Sequence, residues 1–167
     1  MARKVFFSFH FDKDFWRTQQ VRNINALEGN SVTTANDWET VKKDGDKAVK
    51  NWIDEQMKGR SCAIVLVGNE TSDRKWIQYE IEKAWNDGRG VLGIRIHQLL
   101  DQNGNNSVSG ANPFDGFTLS NGTKKLSSVA PLKNPAGIDS KGVYASISNN
   151  IETWIEEAVK ARKDFKA

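Results

Sequence analysis

A run of six apolar residues, 62–67 (CAIVLV), constrains the fold of this chain more than any other segment. Its apolar side chains are continuous rather than alternating, which is typical of a strand buried on both faces. The segments before and after it, 44–57 and about 72–87, carry apolar residues at helical spacing. Because a strand buried on both faces needs a covering layer on each side, this run predicts a parallel sheet between helices.

The rest of the chain continues this alternation of strands and helices. Further strands are predicted at 4–9 (KVFFSF), 31–38 (SVTTANDW) and 90–97 (GVLGIRIH). A first helix is predicted from the acids Asp12 and Asp14 to about Leu27, with Gly29 ending it. The last helix is indicated by an apolar stripe of Ile147, Ile151, Trp154, Ile155, Ala158 and Val159. This order predicts an α/β fold, namely a flavodoxin-like doubly wound, mainly parallel sheet of four to five strands with helices on both faces.

The segment 99–135 interrupts the alternation. It contains all three prolines together with many Gly, Asn and Ser residues, which predicts an irregular excursion with a short strand near 126–132 (LSSVAPL). A chain of 167 residues suits one hydrophobic core. We therefore expect a single domain, 1–167, with an irregular insertion at about 99–135.

Charge and cysteine usage narrow the range of partners and compartments. The net charge is +3, but the basic residues are interleaved with acids instead of forming a stripe, so nucleic acid is not an expected partner. The single cysteine, Cys62, lies inside the apolar run, where a thiol is usually a small buried hydrophobe. No stretch approaches membrane-spanning length, and the N-terminus lacks a signal-like apolar region. These features predict a cytoplasmic protein that binds neither nucleic acid nor membrane.

In a doubly wound sheet, ligands bind outside the carboxyl ends of the strands. No Gly-rich phosphate loop follows any predicted strand, and the Cys and His residues have no metal-ligand spacing, so no metal site is expected. His10 and His97 both fall at strand ends, where a general base would lie, although a structural role is the more frequent one for such a histidine. A triad of Ser8, His10 and Asp37 lacks a nucleophile-elbow sequence.

Glu80 is the candidate acid of the helix that follows the apolar run. On a helical wheel, Ile77, Ile81, Ala84 and Trp85 form the core side, Glu80 lies at its border, and Glu82 lies on the far side. A carboxyl pressed against apolar surface would favour its neutral form. The alternative is a surface ion pair with Lys83 or Arg74, and periodicity alone does not decide between the two.

Two segments resemble those of a known family. The stretch 5–14 (VFFSFHFDKD) resembles the opening box of Toll/interleukin-1 receptor (TIR) domains, and 72–84 (SDRKWIQYEIEKA) resembles their third-helix motif. More narrowly, 4–23 together with 150–158 (NIETWIEEA) is similar to the TIR component of the bacterial Thoeris antiphage defence system. The resemblance covers about 3–97 and the final helix.

The resemblance implies a flavodoxin-like fold and cleavage of the nicotinamide–ribose bond of NAD+, which is the substrate, with no separate cofactor. It further implies an ADP-ribose-derived signal, cyclic in the Thoeris case, that activates a partner effector. By its place in the motif Glu80 matches the catalytic glutamate. The expected substrate-binding residues match family motif positions or lie at strand ends, and they are Ser8, Phe9, His10, Asn36, Trp38, Ser72 and Trp76.

Other readings stay open beside this one. The chain has no Arg-Asp-x-x-Pro-Gly loop after the second strand and no C-terminal Phe-Trp box, so an adaptor-like assembly is less expected. The alternatives are a non-catalytic TIR-type interaction module, with self-association as its basis, and a nucleoside deoxyribosyltransferase-like enzyme, which also uses a glutamate at a ribosyl carbon. Turnover of NAD+ separates the first hypothesis from both.

Overall fold

The computed structural model describes residues 4–9, 11–22, 24, 28–29, 43–69, 71, 74–100, 103–119, 122 and 124–165. Its strands are β1 Lys4–Ser8, β2 Glu28–Gly29, β3 Cys62–Val67, β4 Gly90–Arg95, β5 Thr118–Leu119, β6 Lys124–Lys125 and β7 Leu132–Lys133. Its helices are α1 Phe11–Arg22, α2 Asp46–Met57, α3 Lys75–Asn86 and α4 Ser140–Asp164.

Five of the strands form one sheet in the order β2-β1-β3-β4-β7, and every neighbouring pair is parallel. The chain runs from β1 outward to β2 on one side and then crosses back to β3 on the other side of β1. This reversal of strand order between β1 and β3 is the switch point of a flavodoxin-like sheet. In such a sheet, ligands bind in the crevice outside the carboxyl ends of the two strands. The predicted doubly wound, parallel fold is confirmed.

Alternating side chains of the strands supply two cores, one on each face of the sheet. Val5, Phe7 and the even-numbered residues of β3 pack with α1 and α4. Phe6 and the odd-numbered residues of β3 pack with α2 and α3. All six residues of β3 are buried, which explains the absence of polar alternation in that strand. Cys62 is a buried free thiol, as predicted.

The first helix is shorter than predicted. It ends at Arg22, and the amide of Ile24 bonds to the carbonyl of Val21, a tight i to i+3 contact that closes the last turn. Gly29 does not end a helix but lies in β2, where it pairs with Val5. The strand predicted at 31–38 lies outside the described residues. The second strand that the structure describes comes earlier, directly beside β1.

The insertion contains more structure than the sequence indicated. An antiparallel pair, β5 with β6, is followed by a short 3-10 turn at Leu126–Ser128. The strand expected near 126–132 is present only at the end of that segment, as β7, which pairs with Gly93 and Ile94 of β4. The insertion therefore completes one edge of the main sheet.

The C-terminal helix α4 covers one face of the sheet with the predicted stripe. Ile147, Ile151, Ile155 and Ala158 are buried in it, while Trp154 and Val159 pack partly buried against the same core. Asp139 caps the helix by accepting a hydrogen bond from the amide of Gly142 at 2.8 Å. None of the described helices is both long and apolar enough to span a bilayer.

Candidate active site

Ser8 and Glu80 meet at the carboxyl end of β1, beside the switch point of the sheet. The hydroxyl of Ser8 donates a hydrogen bond to Oε1 of Glu80 at 3.3 Å. Ser8 is 1% exposed and Glu80 is 8% exposed, so both are buried although they are polar. The two residues are 72 positions apart in the chain, and the parallel pairing of β1 with β3 brings them together.

The connection from β3 to α3 fixes the position of Glu80. The side chain of Thr71 is fully buried and accepts a hydrogen bond from the amide of Gly68 at 2.7 Å, directly after β3 ends. The amide of Arg74 then bonds to the carbonyl of Thr71, and the helix continues from Lys75. This tight turn holds the first turns of α3 over the end of the strand, so that Glu80 points inward toward β1.

Burial dominates the electrostatics of Glu80. Desolvation raises the pKa of its carboxyl from 4.5 to about 8, and the hydrogen bond from Ser8 offsets this only in part. At 3.3 Å the bond is longer than most hydroxyl–carboxylate bonds, which explains its weak compensation. The carboxyl is therefore mainly protonated at pH 7 in the free protein.

The alternative of a surface ion pair for Glu80 is wrong. Lys83, one proposed partner, pairs instead with Asp87 at 3.1 Å on the outer side of α3. Glu82 lies exposed on the same helix, as the wheel predicted. An ion pair with a cation would lower the pKa of Glu80. The pKa is instead raised, because burial is the largest influence on it.

Trp76, one turn before Glu80, is held at the interface between α3 and α2. Its ring is half-buried and meets the ring of Tyr79 edge to face, with 5.9 Å between centroids. The hydroxyl of Tyr79 donates to Asp54 of α2 at 2.7 Å, and the ammonium of Lys75 lies 4.8 Å from the Trp76 ring. These contacts fix the two rings on the turn of α3 that precedes Glu80.

The remaining predicted residues are not brought together with Glu80 by the described contacts. Phe9 is half-buried and packs on the α1 and α4 face of the sheet, opposite to the face that Ser8 and Glu80 occupy. The expected substrate-binding roles of Ser8, Phe9 and Trp76 stay predictions. His10, Asn36, Trp38 and Ser72 lie outside the described residues, as does Asp37.

A protein-family model described as "Thoeris protein ThsB, TIR-like domain" matches residues 6–101, more than half of the chain. The chain belongs to the Thoeris ThsB TIR-like family. It is also 38% identical over 133 residues to "Putative cyclic ADP-D-ribose synthase ThsB1" of Bacillus cereus (strain MSX-D12). That alignment covers 75% of this chain and 69% of the relative.

The structure of this ThsB-family chain adds residues that the sequence reading missed. Arg17 of α1 is 5% exposed and donates to the carbonyl of Leu99 at 2.7 Å and to that of Asn105 at 3.0 Å. Arg95, the last residue of β4, lies near His97 at the carboxyl end of that strand. The segment GIRIH signals the pair Arg95 and His97, since alternate residues of a strand share a face. No local pattern signals Arg17.

His97, considered as a general base, lies two strands away from Glu80 and lines a cavity. Its Nδ1 is buried without a hydrogen-bond partner. Burial lowers the pKa of the imidazole, and the charges of Arg95 and Arg17 lower it further. The residues of this ThsB-family chain that the structure describes hold no cluster of His, Cys, Asp or Glu suited to a metal ion.

Proposed function

We propose that the chain cleaves the nicotinamide–ribose bond of NAD+ and converts the ADP-ribosyl group into a cyclic ADP-ribose-type signal that activates a partner effector in antiphage defence. The buried carboxyl of Glu80 at the switch point of the sheet is the observation that carries the proposal. Membership of the ThsB TIR-like family and the name of the Bacillus cereus relative, a cyclic ADP-D-ribose synthase, support it.

The chemistry suits a site that contains a carboxyl and a hydroxyl. The C1′–N bond breaks with its electron pair going to the nicotinamide, which leaves as a neutral molecule and needs no general acid. The ribose left behind carries an oxocarbenium-like positive charge, which a nearby carboxylate stabilises. A nucleophile of the same ADP-ribosyl group then bonds to C1′ and loses its proton, which closes a ring. NAD+ is consumed as substrate in this scheme, and no further cofactor takes part.

The raised pKa of Glu80 fits a cationic substrate. In the free protein the carboxyl is mainly neutral at pH 7, because its pKa is about 8. A positive charge at about 4 Å interacts with a carboxylate by about 4 kcal/mol when the effective dielectric constant is about 20. Since one pKa unit equals about 1.4 kcal/mol, this attraction is enough to ionise Glu80 in the complex. The negative charge is then present where positive charge develops on the ribose.

Exclusion of water decides between ring closure and hydrolysis. Trp76 and Tyr79 precede Glu80 on α3 with their rings fixed edge to face, and Ser8 and Glu80 are themselves almost fully buried. Low access of water at the reacting carbon favours an internal nucleophile over a water molecule. We therefore expect a cyclic product in excess over free ADP-ribose.

The test compares wild type with Glu80→Gln, which keeps the size of the side chain and removes its charge. Purified proteins are incubated with NAD+, and nicotinamide and ADP-ribose products are measured by chromatography and mass spectrometry. In parallel, extracts of phage-infected cells that express each protein are analysed for the same products, since the activity can require infection. Glu82→Gln is the matched control, because Glu82 is exposed on the same helix.

Wild type and Glu82→Gln are expected to release nicotinamide, and Glu80→Gln is expected to lose 100-fold or more of that rate, as when a key charge-stabilising group is removed. Equal rates for wild type and Glu80→Gln, in vitro or in infected cells, would refute the role of Glu80. Absence of NAD+ products from infected cells expressing wild type would refute the proposed activity itself.

A further inference from the structure

Two adjoining cavities lie at the carboxyl end of β4, away from Ser8 and Glu80. Their volumes are about 530 and 230 Å³, and His97, Gln98 and Ser109 line both of them. The larger cavity is bounded by the backbone of 137–139, just before α4, and the smaller one by Arg95 and Asn134. The larger volume lies in the range of small-molecule sites.

A segment of the insertion separates these cavities from the candidate active site. We define the strap as residues 106–110. The amide of Ser107 bonds to the carbonyl of His97 at 2.7 Å. Gly110 packs so closely on the end of β3 that an added Cβ would lie 2.3 Å from the carbonyl oxygen of Gly68. The strap thus crosses the ends of β3 and β4, whereas Glu80 lies by β1, on the other side of β3.

Arg95 supplies positive charge to the smaller cavity with part of its guanidinium uncommitted. Its Nη1 donates to the hydroxyl of Ser109 and to the carbonyl of Gly110. Among the residues that the structure describes, its Nε–H and the N–H groups of Nη2 have no recorded acceptor. A guanidinium offers donors in a fork that matches the oxygens of a phosphate. Arg17 adds a second positive charge close enough to act on His97.

The start of α4 forms one wall of the larger cavity. Gly137 has a φ of 142° and lies so close to the helix that an added Cβ would be 2.6 Å from the amide nitrogen of Val143. Asp139 is the one acidic side chain among the described lining residues, and the cap bond to Gly142 occupies its Oδ1. Residues 137–139 line the larger cavity and Val143 of α4 lines the smaller one together with Arg95 and His97, so the positive end of the helix dipole lies close to both cavities.

We propose that these cavities bind a phosphate group, either as inorganic phosphate or as part of a small phosphorylated molecule. The fork of Arg95 holds the phosphate oxygens, the positive charges of Arg17 and of the α4 terminus favour the anion, and His97 borders it. This site is distinct from the Ser8–Glu80 pair, and the inference does not rest on the proposed function.

The histidines provide the probe, because the chain has only two of them, His10 and His97. Proton NMR of the imidazole signals, assigned with His10→Gln, is recorded while inorganic phosphate, AMP or ADP-ribose is added in separate titrations. Burial, Arg95 and Arg17 lower the pKa of His97, and Asp139 is the acidic residue that lines the same cavity. A bound anion opposes the two cations, so the pKa of His97 is expected to rise by about one unit or more on saturation.

Variants that change charge in opposite directions test the site. Arg95→Met is expected to weaken binding at least tenfold, the effect of losing a charge-assisted hydrogen bond. Asp139→Asn keeps a good cap and removes the opposing charge, so it is expected to tighten binding. Lys58→Met removes one exposed positive charge just before the amino end of β3, whereas the cavities lie at the carboxyl ends of the strands, so it should leave binding unchanged.

If the shift of the His97 signal saturates with inorganic phosphate, the free anion is enough to occupy the site. If it saturates only with AMP or ADP-ribose, the ligand is a phosphorylated molecule. Absence of a saturable shift with all three probes overturns the proposal, as does equal weakening by Arg95→Met and Lys58→Met. A gain for Asp139→Asn cannot come from unfolding, so it keeps the test valid if Arg95→Met folds poorly. Glu80→Gln should bind phosphate as wild type does. Failure of the phosphate-binding proposal can therefore be told apart from failure of the NAD+ cleavage proposal.

Discussion

Glu80→Gln should alter how the stability of the protein depends on pH. The pKa of Glu80 is 4.5 when the side chain is exposed and about 8 in the folded protein. The folded state therefore holds the proton more tightly, and unfolding at a pH between these values releases it. By linkage, the free energy of unfolding falls as pH rises through this window. The glutamine variant has no such proton to release, so it lacks this loss.

The size of the effect follows from the two pKa values. A pKa difference of about 3.5 corresponds to about 5 kcal/mol at high pH, since one pKa unit equals about 1.4 kcal/mol. Part of this loss is already present at pH 5, where the unfolded state has begun to ionise. Between pH 5 and pH 8, wild type should therefore lose about 3 to 4 kcal/mol relative to Glu80→Gln. Any fixed cost of burying the amide cancels, because it is the same at both pH values.

Urea unfolding, followed by the fluorescence of the six tryptophans, measures this difference at several pH values from 5 to 8.5. Other titrating groups are common to the two proteins, so their contributions cancel in the comparison. Glu82→Gln is the matched control and should follow the wild-type profile, because Glu82 is exposed.

Parallel profiles for wild type and Glu80→Gln would refute the reasoning, because they would mean that the folded and unfolded states bind the Glu80 proton equally. A loss of wild-type stability relative to Glu80→Gln as the pH falls would refute it as well. That sign would require a carboxylate stabilised in the folded protein by a cation.

Three further substitutions test the surrounding structure. Ser8→Ala removes a hydrogen bond worth about 1 kcal/mol, so the pKa of Glu80 should rise further and the loss of stability should extend to higher pH in the same urea series. Gly110→Ala places a methyl group against the carbonyl of Gly68 and should cost about 1–3 kcal/mol in urea unfolding, together with weaker phosphate binding by NMR. Tyr79→Phe loses its bond to α2 and should lower thermal stability by about 1 kcal/mol.

Each of these three predictions has an outcome that contradicts it. For Ser8→Ala, that outcome is a dependence of stability on pH that is the same as for wild type. Gly116→Ala is the control for Gly110→Ala, since an added Cβ at Gly116 meets nothing within 4 Å, and equal losses in both would contradict the close packing of the strap. For Tyr79→Phe, a melting temperature equal to that of wild type would show that the bond to α2 adds no stability.

Local patterns in the sequence identified the fold because they record which faces are buried. The continuous apolar run of β3 required cover on both faces, and the helical stripe of α4 supplied it on one of them. The wheel placed Glu80 at the edge of the core, but the depth of its burial depends on β1, which lies 72 residues away at Ser8. Periodicity within one helix cannot report such a contact.

Features built from distant segments were not predictable in this way. The end of α1 at Arg22 was not predicted, and Gly29 was misread because a glycine also suits a short strand beside another backbone. The cavities at His97 need β4, the strap and the start of α4 together. Each of these segments is an irregular loop or a strand end, for which composition indicates a turn but not its partners.

In the part of the chain that the structure describes, the edge of the sheet beyond β4 is formed by β7, which is two residues long. A strand at the edge of a sheet can recruit another chain through its unpaired amides and carbonyls, and the number of these groups grows with its length. An edge as short as β7 offers a second copy almost no template for strand addition. Copies that meet on this side of the sheet are therefore expected to join through helices or loops.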